Sequence, residues 1–164
     1  MRKVISIILI VGLLISGLAS IAYGSVKEVT NSDLAVDKIV SAKDRTFFIL
    51  EDGKVYGTGK NSNGILGLGN GVLSVDEATQ IPITGVSDIE TTDNATYYVM
   101  KNGDVYISGV ALGLGLNYTP KKVEGVSGVK KIAVDGNSAM ILKDSGEVYI
   151  NIIAEFPSTA IFFT

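Results

Sequence analysis

The chain of 164 residues contains no cysteine, no histidine and no tryptophan, and only three prolines. Without cysteine there is no disulfide and no thiolate ligand for a metal. Without histidine there is no imidazole ligand and no Ser-His-Asp or Cys-His nucleophilic arrangement. Any chemistry is left to carboxylates, lysines, tyrosines and hydroxyls. Positive charge is also scarce, with 14 Lys and Arg against 17 Asp and Glu. No basic stripe interleaved with aromatics runs through the chain, so no nucleic-acid partner is expected. Beyond the first two dozen residues no apolar pattern keeps a 3.6-residue period, which excludes a helical domain.

What is present starts with an export signature. Arg2 and Lys3 precede an uncharged run from Val4 to Gly24, greasy over Val4–Ile15 and closing on the small residues Ala22 and Gly24. This is the layout of a secretory signal peptide, residues 1–24, so a secreted or cell-surface protein is expected. An uncleaved anchor is the alternative, and would be the chain's one membrane contact. Removal of the segment leaves twelve basic against 17 acidic residues, a formal charge of −5. Residues 25–35 read as a linker.

The rest is organised by a repeat. "IVSAKDRTFFILEDGKVY" (39–56), "IETTDNATYYVMKNGDVY" (89–106) and "IAVDGNSAMILKDSGEVY" (132–149) align without gaps. Spacings of this size indicate stacked or radial repeats, here bounded at about 36–85, 86–128 and 129–150. "TFFIL", "TYYVM" and "AMIL" are short apolar runs of strand character, buried on both faces. Gly53, Gly103 and Gly146 fall where a two-residue hairpin turn takes a positive φ, and Val-Tyr then opens the returning strand with Tyr56, Tyr106 and Tyr149. The mature chain is therefore expected to be all-β.

The stretch "GKVYGTGKNSNGILGLGNG" packs seven glycines between Gly53 and Gly71. No helix follows it and no Gly-Lys-Ser/Thr closes it, so it is not a phosphate-binding loop. With the repeats it resembles the regulator of chromosome condensation family, over about residues 36–149. The first unit matches at Ile39, Asp52, Gly53, Val55, Tyr56, Gly59, Asn61, Gly64, Leu66, Gly67, Leu68 and Gly69. The second keeps Ile89, Gly103, Val105, Tyr106, Gly109, Leu112, Gly113, Leu114 and Gly115.

The resemblance implies a β-propeller of four-stranded blades, usually seven. The glycines then serve blade geometry: Gly57 and Gly59 turning the chain after the second strand, "LGLG" forming a strand pressed on a neighbouring backbone. The family's repeated histidine is Arg45, Ala95 and Ser138 here, and its tryptophan is Thr58, Ser108 and Asn151. The third unit stops after Tyr149 and runs into an apolar tail, 151–164, so about two and a half blades are expected. An open end exposing about 400 Å² of apolar surface would gain about 10 kcal/mol on being covered. Self-association through blade ends, truncation of a longer repeat protein, or a small β-arc of marginal stability that folds alone would each answer this.

Candidate sites are few. Asp44, Asp93 and Asp135 recur near the loop between the first two strands of each unit, where a calcium or partner contact competes with the turn-forming habit of aspartate. Phe47-Phe48, Tyr97-Tyr98 and the Val-Tyr tyrosines could form an aromatic platform, although strand alternation sends at least half of them inward. No catalytic residue, metal ligand or cofactor is assigned. The expected function is an exported, non-catalytic protein-binding module acting through its loops. A carbohydrate-binding or carbohydrate-active propeller, and a truncated product without its own task, are the alternatives.

Overall fold

The computed structural model describes residues 35–111, 113–135, 138–150 and 160–161. Residues 1–34, with the segment read as a signal peptide, and most of the tail lie outside the described residues. Among the described residues twelve strands form three antiparallel sheets of four. The first blade is β1 (Val36–Ala42), β2 (Arg45–Leu50), β3 (Val55–Lys60) and β4 (Ser74–Gln80). The second is β5 (Val86–Thr91), β6 (Ala95–Met100), β7 (Val105–Ala111) and β8 (Gly115–Lys122). The third is β9 (Val129–Asp135), β10 (Ser138–Lys143), β11 (Val148–Ile150) and β12 (Ala160–Ile161). The fold is thus a partial propeller, and the described part of the third blade's last strand, Ala160–Ile161, comes from the off-pattern tail.

Strand alternation gives each blade two apolar faces, and blades bury them on one another. Phe47, Ile49 and Val55 of the first blade meet Ile89 and Tyr98 of the second, together with Leu66 and Ile81. The second blade's opposite face, Tyr97, Val99, Val105 and Ile107, meets Ile132 and Ile141 of the third. Both tyrosines of the Tyr97-Tyr98 pair are therefore core, at 8% and 0% exposure. Phe47 and Tyr98 meet edge to face, with ring centroids 6.4 Å apart. The β6 run is buried on both sides, whereas β2 alternates buried with half-buried positions.

Three local expectations are corrected. The hairpins after β2, β6 and β10 have three-residue loops, not two. In the first, Leu50 N–H donates to Lys54 C=O at 2.9 Å and Gly53 N–H to Leu50 C=O at 2.8 Å. This is a tight turn followed by a left-handed glycine, which restores the strand twist that an ordinary turn would splay. Gly57 and Gly59 lie inside β3 and not beyond it, at a register shift against β4. The first "LGLG", Leu66–Gly69, is no strand. After a 3₁₀ turn at Ser62–Gly64, residues 65–69 form a looped excursion, and in the second blade Gly115 already begins β8. Positive φ at Gly64, Gly67 and Gly69 breaks the extended path.

Pro82 falls in the link between blades and Pro120 within β8, an outer strand where the missing N–H costs no ladder bond.

Candidate functional site

The blades are locked together at both ends of their strands. At the hairpin-loop end, Gly53 packs on Gly85, where a Cβ would come within 2.9 Å of backbone, and Gly103 packs on Gly128 at the same distance. Val86 N–H donates to Gly53 C=O at 3.1 Å, and Val129 N–H to Gly103 C=O at 2.9 Å. Gly146, at the equivalent turn of the third blade, has open space before it. Tyr56, Tyr106 and Tyr149 are half-buried on their returning strands, and the last two pack on the blade before.

The opposite end carries the turns after β1 and β5, the end of β9 and the glycine-rich loop. Asn61, 1% exposed, organises that loop. Its Oδ1 accepts from Leu66 N–H at 2.8 Å, and its Nδ2 donates to Val72 C=O at 2.8 Å and Gly69 C=O at 3.3 Å. The loop so fixed leans on the second blade. Gly64 abuts the Tyr118 backbone, Gly67 faces the Pro120 ring and the Tyr98 hydroxyl, and Gly69 N–H donates to Tyr118 C=O at 2.9 Å. Ser108 Oγ–H donates to Ile65 C=O at 3.1 Å. The Tyr98 hydroxyl lies 3.0 Å from Ser108 Oγ and 3.3 Å from Leu66 C=O. Full burial pushes the Tyr98 phenol well above its ordinary range. Gly59 and Gly109 occupy matching places, each against the carbonyl of the β1–β2 or β5–β6 turn.

Arg45 stands, in the sequence, where the resembled family carries its repeated histidine. It is 6% exposed and spans two blades. Nη1 pairs with Asp44 at 2.7 Å, Nε donates to Thr91 Oγ1 at 3.3 Å, and Nη2 donates to Thr92 C=O. A lone arginine in an apolar run, beside an aspartate, was the available signal: a charge there must be paired to be buried.

Next to Arg45 an open cleft of about 370 Å³ is lined by Ala42, Thr91, Thr92, Asp93, Asn94, Val134 and Asp135. Asp93 and Asp135 stand exposed at its rim, whereas Asp44 is committed to Arg45 and, at 3.5 Å, to Lys60. The three aspartates are not equivalent in the repeat: Asp44 aligns with Asn94, and Asp93 with Lys43. Among the described residues no three carboxylates converge in a way that would hold a metal ion. The cleft has no aromatic lining, because the aromatic side chains are spent between blades.

One further carboxylate has a perturbed environment. Partial burial of Glu90 on β5, then the nearby Asp88 charge, raise its carboxyl above the ordinary 4.5, with Lys131 opposing. An acid whose folded value is raised weakens the fold while ionised, and the loss is relieved as pH falls through that value. Glu90→Gln is therefore expected to raise the urea midpoint at pH 7. The gain should fade on titration toward pH 4, when wild-type Glu90 is itself neutral.

No protein-family model matches the chain, and neither does any curated protein. Solved structures do. The chain is similar to human WBSCR16 at a TM-score of 0.66 and 20% identity, over 79% of this chain and 38% of that one. It is also similar to yeast RCC1 (Prp20), solved with Kap60, at a TM-score of 0.59 and 18% identity, over 70% and 31%. Saccharomyces cerevisiae Prp20p, studied for its binding to Gsp1p and histones, matches at 0.59 and 18%, over 70% and 32%. The chain thus has an RCC1-like fold and spans about a third of the length of these propellers.

Proposed function

We propose that the chain is an exported, non-catalytic protein-binding module that works through the loops at the inner-turn end of its blades. The observation carrying this reading is that turns from adjacent blades converge on one open polar cleft and are held there by the buried Arg45. Preformed loops on a rigid scaffold suit recognition, since little order has to be gained on binding. The fold is shared with yeast Prp20, a protein that binds Kap60, Gsp1p and histones, which supports a protein ligand here too. Export rests on the basic, then apolar, then small-residue pattern of residues 1–24.

A photo-crosslinking residue placed at Asp93 tests the reading in the cell that makes the protein, with the same residue at Thr79 on the outer strand as control. Crosslinks to a discrete protein from position 93 and not from 79 are expected. Sequencing of the mature N-terminus should begin after Ala22 or Gly24. Turnover of a chromogenic glycoside, abolished by Asp93→Asn or Asp135→Asn, would replace the binding module with a carbohydrate-active one.

A further inference from the structure

The repeat makes each blade's environment a prediction for the others. Val86 and Ile89 of the second blade are 0% and 1% exposed, and Val129 and Ile132 of the third are 3% and 1%. Their counterparts on the first blade, Val36 and Ile39, are 46% and 63% exposed. The same holds in mirror at the other flank. Phe47 and Tyr97 are 0% and 8% exposed, but their counterpart on β10, Met140, is 48% exposed. The apolar positions of Val36, Ile39 and Met140, covered at the internal junctions, are thus open at one end of the arc.

The two open flanks are complementary halves of one junction. Within the chain, the face carrying Ile89 packs on the face carrying Phe47, and the face carrying Ile132 packs on that carrying Tyr97. The uncovered first-blade face is of the Ile89 and Ile132 type, and the uncovered third-blade face is of the Phe47 and Tyr97 type. The first blade has also dropped the polar part of the junction. Phe48 stands where Tyr98 offers its hydroxyl, and Thr58, in the place of Ser108, turns its hydroxyl to Val75 C=O at 3.1 Å within its own sheet. A cover for this flank need supply no carbonyl acceptors. The third unit, whose residues 150–164 include no glycine, meets that condition.

We propose that a second copy of the chain docks head to tail, its third-blade flank around Met140 covering the first-blade flank around Ile39. Such a contact is heterologous, and repeats of it can close a ring of arcs. The cover is apolar and dry at its centre. It uses the flanks of the arc and leaves the loop cleft free, so it stands apart from the binding function proposed above.

Sedimentation of the protein, isolated as the cell processes it, over a concentration series tests this. Wild type is expected to run as assemblies of more than one chain. Ile39→Glu and Met140→Glu each place a charge at an exposed site, so each should keep the β-sheet circular dichroism while weakening association about tenfold or more. Mixing the two variants should restore a two-chain species, because one brings an intact first-blade flank and the other an intact third-blade flank. Single chains at every wild-type concentration would overturn the proposal. Association indifferent to both substitutions, or a mixture that stays monomeric, would overturn it equally. So would a different polypeptide found covering Ile39 in the isolated protein.

Discussion

Gly64→Ala is expected to destabilise the repeat domain by about 4 kcal/mol, combining left-handed backbone strain with overpacking. Gly64 has φ +73°, a region that side chains with a Cβ resist, and the added carbon would overlap the Cα of Tyr118 on the neighbouring blade. Tyr118 is backbone in a paired strand, so it cannot swing aside as a flexible side chain would. The loop must lift instead, which breaks the Gly69 N–H to Tyr118 C=O bond and unseats Gly67 from the Pro120 ring. Gly71→Ala is the control, because its φ is also positive, +91°, but nothing lies within 4 Å of the new Cβ. Strain alone then costs about 1–2 kcal/mol. Urea unfolding of the two variants separates them. Equal losses would show that the blade junction does not depend on the close approach.

Asn61→Ala is expected to cost about 3 kcal/mol, since each buried group left without a partner is worth about 1–3 kcal/mol. The substitution strands Leu66 N–H and Val72 C=O, both now matched by the Asn61 amide inside the loop. Local signatures should accompany the loss. The Leu66 amide should exchange with solvent much faster, and protection at Tyr118 C=O's partner, Gly69, should fall with it, because the loop presents that N–H. Amides of the third blade should keep their protection at low denaturant. A variant whose Leu66 amide exchanges as slowly as wild type would show that the loop is held by its packing and not by Asn61.

Much of the fold could be read from the chain. Val-Tyr after a glycine-bearing turn, three times over, marks returning strands wherever it occurs, because strand alternation and turn chemistry are local. Gly53 and Gly103 sit at turns whatever surrounds them. The candidate site was far less legible. Asp44, Asp93 and Asp135 looked like a set, yet Asp44 is consumed by Arg45 and Lys60, and only the other two reach the cleft rim. "LGLG" alternates as a strand does, but Asn61 and three left-handed glycines fold it into a loop.

By itself, then, the sequence determined the all-β class and the recurrence of the hairpin units that start at Ile39, Ile89 and Ile132. These follow from interactions between residues a few positions apart. Only the tertiary structure decided that Arg45 bridges two blades, that Tyr98 and Ser108 reach the carbonyls of Leu66 and Ile65, and that Ile39 stays exposed while Ile89 and Ile132 do not. Those outcomes join residues more than thirty positions apart or depend on whether a neighbouring sheet is there at all. Identical apolar letters meet different fates because burial belongs to the surface pressed against a residue, and no repeat unit contains its own neighbour.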